Sequence, residues 1–145
     1  MTQAQLGLLI GGIIPAILFG FSGLFLKISA NQNITLGAHL IVIGLGVVAV
    51  GIVLCIINPA QSFSITAASP SFIIGSSWGV GMTLVSVALI KYKAPLAQVA
   101  PLYNMNTLVA VACALVVFSE WKEVNLLKLS IGTVLIVVGG ILVST

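Results

Sequence analysis

"LGAHLIVIGLGVVAVGIVLCII", residues 36–57, decides the fold class. It contains no Asp, Glu, Lys or Arg, and apart from His39 every residue is apolar or glycine. A membrane-crossing helix needs about 20 consecutive, mostly apolar residues, and this run supplies them. The apolar residues are continuous rather than alternating. That pattern fits a helix, which satisfies its backbone hydrogen bonds internally, better than a barrel strand.

Working outward, four further runs have the same character. Residues 6–26 end at Lys27 and the polar ISANQN. Residues 72–90 end at Lys91-Tyr92-Lys93. Residues 96–118 end at SEWKE, and residues 126–143 carry Lys128 in their first turn. The expected fold is all-α: a polytopic membrane bundle of five transmembrane helices in a single domain, 1–145. The connections are short. The longest, PAQSFSITAASP over residues 59–70, has turn composition and no room for a domain. The N-terminal run lacks a positive region before it and is long for a signal-peptide core, so it is read as a retained first helix.

Composition agrees. The chain has 145 residues, 60% hydrophobic and 5% charged, whereas a soluble domain carries about 25% charge. So few charges cannot cover a surface in water. A net charge of +3 from dispersed lysines, with no arginine, excludes a nucleic-acid partner. Cys55 and Cys113 lie inside apolar runs, where cysteine acts as a small hydrophobe. No metal-ligand spacing and no cofactor motif is present.

Five spans put the chain ends on opposite sides of the bilayer. One side receives Lys27, Lys91 and Lys93; the other receives Lys122 and Lys128. The positive-inside rule nominally places the first group in the cytoplasm. The bias is small either because charges are few or because the chain inserts both ways and pairs antiparallel. The 15 glycines, including the Gly7/Gly11 and Gly75/Gly79 ridges, allow close helix packing within a bundle or across a dimer seam.

Polar groups in hydrocarbon need partners, a cavity or a neighbouring helix. The fourth run concentrates them. Tyr103, Asn104, Asn106 and Thr107 fall at helical spacings of three and four and make two adjoining stripes. Pro101 removes a backbone donor and is expected to bend the helix there. A bend beside a polar face is how transporters expose backbone carbonyls to substrate. The alternative is that the asparagines glue neighbouring helices, at about 1 kcal/mol or less per bond. Trp78, well inside the third run, fits a cavity wall better than an interfacial belt. Ser76 and Thr83 share a face with Gly79. The first run adds Phe19 and Ser22 as candidate lining residues and Pro15 as a second bend.

His39, the only histidine, is the candidate proton site because it alone could change charge near neutral pH. The plainer expectation is an interfacial ring at a helix end. The only carboxylates, Glu120 and Glu123, follow the fourth run beside Lys122. No run carries a buried acid, which disfavours cationic substrates and carboxylate-driven proton antiport. It also leaves no pair for an intramembrane enzyme, so no catalytic residues are assigned. Neutral or zwitterionic polar substrates remain, against the alternative of a non-transporting accessory or structural membrane subunit.

"ILFGFSGLFLKIS" resembles the first-helix signature of the drug/metabolite transporter superfamily, specifically its EamA-type domain. The matching residues are Phe19, Gly20 and Lys27, with Phe where Trp is commoner. "APLAQVAPLYNMNTLVAVACALVVFSEWKEVNLLKLSIGTVLIVVGGILV" resembles the domain's last two helices, through Pro101, Glu120, Gly132 and Gly139. The resemblance implies transport of small metabolites by alternating access between two five-helix repeats of opposite orientation, in a prokaryotic cytoplasmic (inner) membrane. Only one repeat is present here. It implies a partner within the lipid bilayer: a second copy as a homodimer, antiparallel if orientation is mixed, or a heterodimer with a paralogous five-helix chain. Lys27 and Glu120 then read as gate-pairing or topology residues.

Overall fold

The computed structural model describes residues 3–60 and 62–144. Among them the structure is helical and contains no strand. Five helical stretches are long and apolar enough to cross a membrane: Gln5–Asn31, Leu36–Ile57, Ile65–Ile90, Leu96–Val117 and Leu126–Val143.

The first span is built from α1 (Gln3–Leu8), a π-helical turn (Leu9–Ile13) and α2 (Ile14–Asn31). The second is α3 (Leu36–Ile57) and the third α4 (Ile65–Ile90). The fourth is divided into α5 (Leu96–Asn104) and α6 (Asn106–Val117). A single 3-10 turn (Glu120–Lys122) leads to α7 (Leu126–Ser144). Asn125 caps α7, its Oδ1 accepting the Lys128 N–H at 3.1 Å.

Three ends differ from the sequence expectation. α2 runs through Lys27 to Asn31. A lysine near a span end keeps its stem along the helix and its ammonium toward the interface, so it does not stop the helix. α4 starts at Ile65, ahead of residue 72, with Pro70 inside it. Pro70 lies early in the helix, where losing the one bond to the Thr66 carbonyl costs less than in mid-span. The fourth span is interrupted at Met105, four residues beyond Pro101, which lies within α5.

The chain divides into two compact units, Met1–Lys93 and Ala94–Thr145. In the first, α4 packs against both α2 and α3. Its buried residues are few: Gly23, Leu26 and Ala30 of α2, His39 of α3, and Ser86 and Leu89 of α4. The three on α2 are spaced three and four apart and form one stripe. They lie toward the end of α2, the start of α3 and the end of α4, so packing is concentrated at one end of the unit. In the second unit α5 packs against α7. Most large apolar side chains elsewhere are exposed, Val48, Ile52 and Leu135 among them. Lipid tails solvate such side chains as well as a core does.

The connections have interfacial chemistry. Lys91 Nζ lies 5.7 Å from the Tyr92 ring centroid, and Lys122 Nζ lies 5.2 Å from that of Trp121. Lysine–aromatic pairs at helix ends suit the headgroup region. Asn33, Lys93 and Ser119, in the connections between helices, adopt left-handed φ values of 57°, 54° and 58°.

Candidate functional site

The fourth span departs from α-helical geometry where its polar residues cluster. In a continuous helix the Met105 N–H would bond the Pro101 carbonyl. It bonds Leu102 O at 3.1 Å instead, and the Leu108 N–H turns to Met105 O at 3.0 Å. Both are 3-10 bonds, i to i−3. The Asn104 carbonyl, which Leu108 would otherwise use, accepts the Thr107 hydroxyl at 3.1 Å. A local hydroxyl bond thus competes with the helix for its own carbonyl. The nine residues of α5, at about 1.5 Å each, put the break about 14 Å into a hydrocarbon core of about 30 Å. That is close to the midplane.

Asn104 and Asn106 flank the break and are exposed; Tyr103 and Met105 are half-buried. Met105 turns toward α7. A Cβ placed on Gly140 would lie 2.7 Å from Met105 Sδ and 3.3 Å from its Cγ. Any side chain at position 140 would push the methionine off its seat. Gly139, one residue earlier, has open space where its Cβ would be. Gly140 therefore lets the interrupted segment approach α7 closely.

The first unit carries a groove of ≈ 510 Å³ between α3 and α4. Leu40, Gly44 and Val47 form one wall; Gly75, Ser76, Trp78, Gly79 and Thr83 are on the other. Trp78 is 48% exposed along this groove. Thr83 donates its hydroxyl to Gly79 O at 2.9 Å, and Ser77 donates to Ile74 O at 3.1 Å. The groove is mostly apolar, with Ser71, Ser76 and Thr83 supplying hydroxyl groups.

The remaining candidates are scattered. Phe19 is 71% exposed, and Ser22 donates to Leu18 O at 3.0 Å on its own helix. Pro15 follows the π-helical turn, where the Ile14 N–H reaches back five residues to Leu9 O. Lys27 is half-buried, and Glu120 is exposed at the start of the 3-10 turn. Tyr103, Asn104, Asn106 and Thr107 lie together at the break. Trp78 belongs to the groove of the other unit.

His39, in the first turn of α3, is a buried ring. It is 5% exposed. Its Nδ1 lies 3.0 Å from Ser29 Oγ, while Nε2 is buried without a hydrogen-bond partner among the described residues. Ser29 and Met105 were not singled out by sequence reading. A usable signal existed only for Ser29, a hydroxyl at a helix end facing a histidine across a short connection. Against known protein families, curated proteins and solved structures, the chain finds no match.

Proposed function

We propose that this chain is one half of a membrane transporter for small polar metabolites, working by alternating access as a dimer. One observation supports the reading most: a span interrupted near the bilayer midplane with an asparagine on each side of the break. Irregular backbone at that depth is tolerated where it lines a cavity or is buried in protein. Broken helices of transporters use such points to bind substrate with carbonyls and half-helix ends. Asn104 and Asn106 each offer a donor and an acceptor. No side chain caps the N-terminus of α6, and its positive dipole end suits the carboxylate of a zwitterion. Tyr103 and Thr107 complete the polar surface.

The resemblance to one EamA-type repeat supports pairing with a second repeat. A second copy in the opposite orientation fits the near balance of lysines across the bilayer. A paralogous five-helix chain of fixed orientation is the other partner that would complete the architecture, in a prokaryotic inner membrane.

The test uses the purified chain in liposomes and a panel of radiolabelled neutral and zwitterionic metabolites. Saturable uptake of at least one compound, lost in Asn104→Ala and Asn106→Ala, is the expected result. Uptake unchanged by both substitutions, with a weakened dimer on cross-linking, would assign the asparagines to helix gluing. No uptake of any compound would favour the accessory-subunit reading. A paired inside/outside reporter fused to the C-terminus reads orientation separately: activity of both reporters supports the antiparallel homodimer, activity of one a partner chain.

A further inference from the structure

The buried imidazole of His39 is used by nothing above. Its two nitrogens have unequal surroundings. Nδ1 shares a hydrogen bond with Ser29 Oγ at 3.0 Å. Nε2 has none and is shut away from solvent. Whichever nitrogen carries the proton in the neutral ring, Nε2 is left with either a lone pair or an N–H that meets no partner. Buried polar groups are almost always satisfied, so such an orphan asks for an explanation.

The surroundings bear on what the ring can do. α3 carries no other titratable side chain except Cys55, near its far end. Of the helices that meet it, α2 carries only Lys27, two residues from Ser29 and so on the far flank of the helix from it. α4 carries no Asp, Glu, Lys, Arg, His, Cys or Tyr between Ile65 and Ile90, and Lys91 follows its end. No carboxylate on these helices waits to pair with an imidazolium. In the doubly protonated ring both nitrogens carry N–H groups, and the one at Nε2 has no acceptor among the described residues, so only water that reaches it can satisfy it.

We propose that His39 is a proton-binding site, and that a second proton on its ring opens the packed end of α2, α3 and α4 to water. Ser29 is its positioning residue. It holds Nδ1, in a hydrogen bond whose direction follows the tautomer, and leaves Nε2 as the ring nitrogen with no partner among the described residues. The proton comes from water at the membrane face where α2 ends and α3 begins, and it returns to water when the ring is buried again. Ser86 and Leu89, 2% and 1% exposed, close the neutral state. This step rests on the proposed transport function only in its consequence, which is that the proton is then the coupling ion.

The experiment requires no substrate. His39 is the only histidine, so a 15N-histidine-labelled chain in lipid nanodiscs gives one imidazole spectrum. In parallel, Ser86→Cys in a Cys55→Ser, Cys113→Ser background is labelled with a water-soluble maleimide. Its rate at each pH is divided by that of Glu123→Cys in the same background, an exposed position in the connection before α7. Across a pH series from about 8 to 5, the spectrum should show the neutral ring giving way to one with both nitrogens protonated. The relative labelling rate should rise about tenfold as a minor open state becomes the major one, with the same midpoint. His39→Gln should abolish the rise. Ser29→Ala should change the tautomer ratio of the neutral ring. A ring that stays neutral throughout, labelling that does not change with pH, or two unrelated midpoints would overturn the proposal. Since the spectrum is taken on the unsubstituted chain, a misfolded variant leaves the decision intact. Failure of the uptake panel leaves this result standing, and the reverse also holds.

Discussion

Two spans of this molecule contain both a proline and a departure from α-helical geometry, and they differ in kind. In the first, residues Leu9–Ile13 widen into a π-helical turn just before Pro15. The sequence there is LIGGI, with no polar side chain. Ile14 bonds Leu9 O five residues back, so the helix absorbs the proline internally. In the fourth span the helix tightens instead, with 3-10 bonds on both sides of Met105. There Asn104 and Asn106 stand at the break and Thr107 takes a backbone carbonyl. A proline and an irregular turn alone therefore do not make a site. The difference lies in the side chains presented at the irregularity, and in whether backbone groups are satisfied within the helix.

The largest effect should come from removing that polarity. Asn104→Ala and Asn106→Ala are each expected to lower uptake by about tenfold, and the pair by about a hundredfold, as befits one polar contact each. Pro15→Ala in the first span should leave uptake within about twofold. Equal losses in both spans, measured in the same liposome assay, would break the comparison by making backbone irregularity the functional feature.

Next comes the seat of Met105. Gly140→Leu forces the methionine sulfur away from α7 and should cost about 1–3 kcal/mol, the usual range for overpacking. Gly139→Leu, with open space at its Cβ, should stay within about 0.5 kcal/mol. Thermal unfolding in lipid separates the two; similar values would mean that α7 does not hold the break in place.

A smaller effect is expected of Thr107→Val. Without the hydroxyl, the Asn104 carbonyl becomes available to the Leu108 N–H and the helix can close over the break. The change should be worth about 0.5–1 kcal/mol, visible as slower hydrogen exchange at Leu108. Unchanged exchange would shift the cause of the break to Met105 and Pro101.

Smallest of all, Pro15→Ala should let the first span regain regular α-helical bonds and move stability by less than about 1 kcal/mol. The π-helical turn already satisfies Ile14, so little remains to be gained. A large stabilisation would reveal strain stored in the first span, making it resemble the fourth.

The five spans were legible because span length and continuous apolarity are properties of the chain alone: hydrocarbon tolerates no unsatisfied backbone. The asparagine cluster and both prolines were legible for the same reason, since polar residues in such runs stand out. The ends of spans were not. Lys27 reads as a terminator by charge, yet its long stem lets α2 continue to Asn31. Pro70 reads as a breaker, yet α4 tolerates it close to its start.

By itself, then, the sequence determined an all-α chain with five helices able to cross a membrane, its charges kept near their ends, and a polar patch in the fourth. Tertiary structure decided the rest. The break falls at Met105 rather than Pro101, where two 3-10 bonds and a hydroxyl–carbonyl bond replace the regular ladder and Gly140 lets the sulfur close on α7. His39 is buried, and Ser29, ten residues away in the chain, is brought to 3.0 Å from its Nδ1 across the α2–α3 connection. Periodicity can assign a residue to a helix face. It cannot say which face finds a neighbour, because that depends on how close two backbones come.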